Sequence, residues 1–290
     1  MQLVVNTLVL AATYALIACG YVLVYRVSRV LNLAHGELMM LGGYLLLTTA
    51  SLFAGRPLLA VAVALLLSLG LGLLVYVVLM RHFTGESVLA AVLVTIALGI
   101  LLRGLAILLW TAQLQYPLVA LGWQNPALSL GGGAVISAAG LLTLAAVAVV
   151  YGGLLLFLRY TPWGIRMRAA GENPLLAAQR GVALPQVLAL AWGLATLSGG
   201  LAGMLLACDS GIDGTAVIVG LKAFPVALVG GLDSLSGALV GALLVAAAEV
   251  LAIAYLDPLV SDVVPFFVLL AMLLLRPWGL FGRREAFERV

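Results

Sequence analysis

Residues 88–110 read VLAAVLVTIALGILLRGLAILLW, with Arg103 as the sole charge, and this stretch decides the fold. An apolar run of about 18 residues or more with few charges is long enough to cross the roughly 30 Å hydrocarbon core of a bilayer as a helix. Comparable runs lie on its N-terminal side at 3–25, 34–53 and 58–80, and on its C-terminal side at 134–158, 187–207, 235–255 and 259–275. A further segment, 216–231, is shorter and interrupted by Lys222, Pro225 and the pair Gly230 and Gly231, which predicts a short, kinked or re-entrant helix. The expected fold class is all-α, a polytopic transmembrane helix bundle of about eight to ten segments, one of them short or re-entrant.

The chain is 65% hydrophobic and 9% charged. A globular domain is about half apolar and about a quarter charged, so no water-soluble surface can be built here. All 290 residues are expected to form one transmembrane domain, 1–290, embedded in the lipid bilayer. A net charge of +3 is weak evidence for nucleic acid, and no nucleic-acid partner is expected. Residues 1–25 are apolar almost from the start and lack both a basic leader and a small-residue cleavage site, which reads as a retained first helix. Cys19 and Cys208 lie in apolar runs without a second ligand at metal spacing, so they read as packing residues, and no metal site is expected.

Lys222 is the only lysine, and Ala223 follows it. The Gly-Lys-Ser/Thr loop that cradles phosphates is therefore absent, and any ATP-driven motor must be another polypeptide. The two histidines are His35 and His82. Ser198 or Ser236 with His35 is the one conceivable nucleophile and base pair, but each serine is better explained as a small residue at a helix contact. The chain is not expected to be an enzyme, and no catalytic residue is assigned.

Basic residues that flank membrane helices stay on the cytoplasmic side. Alternating crossings from an external N-terminus place Arg26, Arg29, Arg81, Arg159, Arg166, Arg168, Arg180, Arg276, Arg283, Arg284 and Arg289 inside. Asp209, Asp213, Asp257 and Asp262 then fall near outer turns, provided 216–231 counts as a crossing, while Arg56, Arg103 and Lys222 fall elsewhere. The connection 111–133 should be external and 159–185 cytoplasmic. Small residues recur four apart at Ala195, Gly199 and Gly203 and at Gly237 and Gly241, a spacing that lets membrane helices approach closely.

Three polar clusters stand out. In Asn32-Leu33-Ala34-His35-Gly36-Glu37, Asn32 and His35 would share one helical face, and ionisable groups at membrane depth are functional by default. The competing reading is a helix cap at headgroup level, wetted by water, with Glu37 suiting the helix dipole. The second cluster lies in 159–185 and holds Arg166, Arg168, Glu172, Asn173, Arg180 and Gly181 among the small residues Ala169, Ala170, Ala177 and Ala178. Asn173-Pro174 can start a short helix and Gly181 can end it, making a docking element rather than a solvated loop. The third is Gly220-Leu221-Lys222-Ala223-Phe224-Pro225, where a broken helix could meet an ionic ligand or merely kink for packing. For Arg103, snorkelling to the outer interface and contact with substrate are equally open.

With these clusters in view, the chain resembles the permease subunits of branched-chain amino acid ABC importers, most closely the shorter of their two permease types. The resemblance rests on Ala15-Leu16-Ile17-Ala18-Cys19-Gly20, on the stretch from Arg29 through Asn32, His35, Gly36 and Glu37 to Gly42-Gly43-Tyr44, and on Gly220-Leu221-Lys222-Ala223-Phe224 with Gly230-Gly231 and Ser236-Gly237-Ala238. It implies a second permease subunit, two cytoplasmic ATP-binding subunits that bind the ATP, an external solute-binding protein, and a multi-pass location in a bacterial-type plasma (inner) membrane. It also implies leucine, isoleucine and valine as cargo, with urea, short amides or other amino acids as the alternative on the same scaffold. A stand-alone secondary transporter or channel is the rival from another class.

By the same resemblance, 159–185 would be the cytoplasmic coupling loop, with Arg166, Arg168, Glu172, Asn173, Ala177 and Gly181 as coupling candidates. Asn32, His35, Gly36, Glu37 and Lys222 would be the substrate-pathway candidates. The family's Glu-Ala-Ala pattern is only partly kept, because Leu175 and Leu176 precede Ala177 where a glutamate would stand.

Overall fold

The computed structural model describes residues 1–84 and 87–282; Glu86, Arg283, Arg284 and Arg289 lie outside them. In chain order the helices are α1 (Gln2–Ser28), α2 (His35–Leu52), α3 (Pro57–Val78), α4 (Val88–Trp110), α5 (Pro117–Leu121), α6 (Ala138–Tyr160), α7 (Pro162–Glu172), α8 (Pro174–Gln179), α9 (Leu184–Ser210), α10 (Val217–Gly230), α11 (Leu235–Tyr255) and α12 (Val264–Leu275). Among the described residues, six of them are long and apolar enough to cross a membrane: α1, α3, α4, α6, α9 and α11. The bundle is all-α apart from one antiparallel hairpin, β1 (Ala127–Gly131) and β2 (Ala134–Ser137), in the connection between α5 and α6.

The helix ends follow their local chemistry. Ser87, Ser137, Thr161, Asn173 and Ser234 each cap a helix by accepting a backbone N–H in its first turn. Proline opens α3, α7, α8, α9 and α12, where its missing N–H costs nothing.

Two boundaries differ from expectation. The run 134–158 starts as strand, since Leu128 and Ser129 pair with Ile136 and Val135, and helix begins only after the Ser137 cap. The run 259–275 gives helix only from Val264, because Pro258–Asp262 folds as a 3-10 turn and Pro265 fixes the first turn of α12. The segment 216–231 is a short helix, as expected: α10 is one continuous run of 14 residues with Pro225 inside it.

α1 and α9 form the centre, each 72% buried over its apolar window, while α3, α4 and α6 are 22–28% buried and show leucine and isoleucine outward. Opposite ends of the bundle differ in charge. At one end the termini of α1, α3, α4, α7 and α9 meet around Ser28, Met80, Val88, Ala170 and Leu184, and Arg29 pairs with Asp233 at 2.7 Å. At the other, Asp209 accepts from Asn125 and Ser137, and Gln115 pairs with Ile212. α10 starts beyond Asp213 and ends beside Asp233, so the 211–231 segment passes from the aspartate end to the arginine end, as the charge pattern required.

The small-residue spacing marks a close contact between helices. A Cβ at Gly203 of α9 would fall on the Met39 carbonyl of α2, whereas one at Gly152 of α6 meets nothing within 4 Å. Overpacking of this kind costs about 1–3 kcal/mol. Gly203→Val should therefore lower the unfolding temperature of the purified chain in detergent, and Gly152→Val should leave it unchanged.

Candidate functional site

α1 ends in a turn that sends the chain back into the bundle. Arg29 takes the left-handed conformation (φ 56°), uncommon for a side chain with a Cβ, and its guanidinium is held by Asp233. From there residues 30–34 climb between helices. Leu33 N–H donates to Thr95 Oγ1 in α4, and α2 begins at His35, whose Nε2–H donates to the Ile17 carbonyl at 3.1 Å. Ile17 lies 11 residues (28 − 17) before the end of α1, which is about 16 Å at 1.5 Å per residue. The N-terminus of α2 is thus deep in the bundle, not at headgroup level: Asn32 is 2% exposed and His35 fully buried. The capped, water-wetted reading of this cluster is overturned by that depth.

Asn32 and His35 do not share a helical face as the spacing suggested. Asn32 precedes the helix in a tight turn, with its Oδ1 accepting from Ala34 N–H and its carbonyl from His35 N–H. Short polar side chains that bond nearby backbone compete with helix, and here that ends the extended segment and starts α2. The His35 ring occupies a slot made by two glycines: a Cβ at Gly20 of α1 or Gly199 of α9 would run into it. Tyr21 sits edge-on at 4.7 Å, and Tyr21 also contacts Phe224 of α10. Gly36 lies directly against Gly220 of α10, with no room for a Cβ between them. Asn32 Nδ2 and His35 Nδ1 are buried without a hydrogen-bond partner among the described residues.

Glu37 turns away from this slot. Its carboxylate lies over Gly99 of α4, 3.1 Å from where a Cβ would stand, one turn below Arg103. Arg103 is exposed, and its Nη2 donates to the Gly214 carbonyl at 3.2 Å, just before α10 at the aspartate end of the bundle.

Lys222 is on α10 two residues after Gly220, yet its ammonium belongs to a separate network. It meets Glu249 Oε1 of α11 at 2.7 Å and Asp262 Oδ1 at 2.6 Å, and Tyr14 of α1 donates to Glu249 Oε2 at 2.6 Å. Lys222 and Glu249 side chains are 9% and 5% exposed. Glu249 and Tyr14 were missed in the sequence, although Glu249 is the only acid inside the run 235–255 and was visible as such.

At the arginine end, α7 and α8 form a pair of short helices. Gly164, Met167, Ala170 and Ala177 face inward, while Arg166, Arg168, Glu172, Asn173 and Gly181 are exposed. Asn173 caps α8 by accepting from Leu176 N–H, and Gly181 follows it with φ +84°, as its grammar predicted. Helix over Pro162–Glu172 was not foreseen; Pro162 after the Thr161 cap signals it. Leu175 and Leu176, which stand where the family pattern is broken, are 78% and 56% exposed. Ser198 donates to the Leu16 carbonyl and Ser236 pairs with Ser234, so neither serine is bonded to His35.

Residues 3–273 match the family described as the branched-chain amino acid transport system, permease component. The chain is 30% identical to the high-affinity branched-chain amino acid transport system permease protein BraD of Pseudomonas aeruginosa, over 98% of this chain and 96% of that protein. It is 31% identical to the corresponding permease LivH of Salmonella typhimurium, over the same shares. It is 26% identical to a probable branched-chain amino acid transport permease of Methanocaldococcus jannaschii, over 92% of this chain and 88% of that protein. A match of this extent, on a multi-pass bundle with a deep helix break, places the chain in the branched-chain amino acid transport system permease family.

Proposed function

We propose that this chain is the membrane-spanning permease subunit of an ATP-binding-cassette importer that moves branched-chain amino acids handed over by an external solute-binding protein. It works with a second permease subunit and two cytoplasmic ATP-binding subunits in a bacterial-type plasma membrane. The observation that carries this reading is the α7–α8 pair, an exposed platform of leucine, arginine and glutamate side chains on a chain that has no phosphate-binding loop of its own. ATP bound by the partner subunits supplies the energy, and 159–185 acts as the coupling loop through Arg166, Arg168, Glu172, Asn173 and Gly181, with Ala177 anchoring α8. The arginine end is then cytoplasmic.

The substrate path runs by Glu37 and the α2 break, where Asn32 and His35 each keep a buried polar atom unpaired among the described residues and Gly36 packs against Gly220, so that a shift of α10 would open this point. Lys222 shapes this path through α10 rather than by free charge, since its ammonium is already held by two carboxylates. The named relatives are all branched-chain amino acid permeases, which favours that cargo over urea or short amides.

The test is reconstitution. In proteoliposomes holding the complete complex, leucine-loaded binding protein should stimulate ATP hydrolysis and leucine uptake, and urea-loaded protein should do neither. Stimulation by the urea-loaded form alone would reassign the cargo. Accumulation of solute by this chain alone, without ATP-binding subunits, would overturn the importer reading.

A further inference from the structure

Glu37 and Arg103 share an unusual situation. Both are ionisable, and both lie within the bundle's membrane-spanning length. Glu37 is the third residue of the deep-starting α2, and Arg103 lies 7 residues (110 − 103), about 10 Å, from the Trp110 end of α4. Among the described residues neither forms an ion pair, although each lies in the other's field. The carboxylate rests over Gly99, and Arg103, four residues further on, rises from the same face of α4. Glycine at 99 is what lets the acid lie there, because a Cβ would press on its carboxyl carbon.

The guanidinium is turned toward the chain that leads into α10, where it has one carbonyl, Gly214, for its five N–H donors. Among the described residues its other N–H donors have no hydrogen-bond partner, and the side chain is exposed. Charges at membrane depth are costly unless they are paired or line a wet path, and Glu37 and Arg103 on facing parts of α2 and α4 are not ion-paired among the described residues, which is what a wet path here would accommodate. α10 begins three residues beyond Gly214 and shows Ile218 and Leu221, 44% and 47% exposed, as apolar surface nearby.

An α-amino acid carries an ammonium and a carboxylate on one carbon and an aliphatic group on the same carbon. We propose that Glu37 and Arg103 form a zwitterion clamp in which the Glu37 carboxylate takes the α-ammonium and the Arg103 guanidinium the α-carboxylate of a passing amino acid. The side chain is then left to the apolar surface of α10. The fork of the guanidinium suits a carboxylate, and separated opposite charges on one face suit a zwitterion better than either a neutral amide or a simple ion. This inference rests on the importer reading above and adds the chemical class recognised inside the membrane, with the two side chains that recognise it.

The experiment uses the complete complex in proteoliposomes with leucine-loaded binding protein and reads leucine taken up per ATP hydrolysed. Glu37→Gln and Arg103→Gln should each lower that ratio about tenfold, the expected loss for one charge-assisted hydrogen bond, and Glu37→Asp and Arg103→Lys should recover part of it. An unchanged ratio in both neutral variants would overturn the clamp, including the case where uptake and hydrolysis fall together, because that is what a purely structural role produces. Equal loss in the charge-conserving and neutral variants would overturn it as well. Failure of the importer reading looks different: the unmodified complex would show no leucine uptake coupled to ATP at all.

Discussion

Lys222→Met should destabilise the purified permease by about 3–5 kcal/mol, the range expected when one partner of a buried ion pair is removed. The loss comes from what is left behind. Glu249 is 5% exposed at its side chain, and without the ammonium it keeps only the Tyr14 hydroxyl. Asp262, with its side chain 66% exposed, is far less enclosed and suffers less. The network joins α1, α10, α11 and the 3-10 turn before α12, so its failure loosens the packing that sets Gly220 against Gly36. The double variant Lys222→Met with Glu249→Gln removes both charges and should recover most of the loss, giving a coupling energy that a double-mutant cycle can measure. Reversible denaturant unfolding in detergent is the readout; a Lys222→Met protein as stable as the unmodified one would show that the pair contributes nothing.

The second large effect is at the other end of the bundle. Leu175 and Leu176 are exposed apolar side chains on a capped helix outside the long hydrophobic spans, and they form the apolar part of the α7–α8 platform proposed above as the coupling element. Leu175→Glu together with Leu176→Glu should reduce co-purification of the ATP-binding subunits and lower uptake by about a hundredfold or more, as expected when two interface anchors are lost. Charge reversal at Arg166 and Arg168, or Glu172→Lys, should also abolish transport while the chain stays inserted. None of these side chains lies in the buried core, so the thermal stability of the isolated chain should not change. Co-purification at unchanged yield for every variant would refute the coupling role.

The spans of α4 and α11 were legible residue for residue because each is bounded by a capping serine and a polar or turn-forming neighbour. The arginine distribution likewise anticipated which ends lie together, since that bias acts on whole segments. Depth was not legible. Periodicity along 29–37 shows where helix starts but not that the preceding residues fold back into the bundle, a fact set by Asp233, some 200 residues away, holding Arg29. The network around Lys222 escaped for a similar reason: Glu249, its partner, is bonded in turn by Tyr14 from 235 residues away, and nothing local links them. For Arg103 the sequence left its partner open, and the bond to the Gly214 carbonyl, 111 residues away, could not be read from its neighbours.

The burial of α1 has a bearing on biogenesis. α1, at the centre of the bundle, is translated well before its neighbours α9 and α11, which follow it by more than 150 residues. Until then Tyr14, Tyr21 and the shelf that receives His35 and Ser198 face lipid or the insertion machinery with their polar atoms unmatched. Final assembly is therefore post-insertional, and a nascent chain arrested before α9 should be a quality-control substrate rather than a folded half-permease.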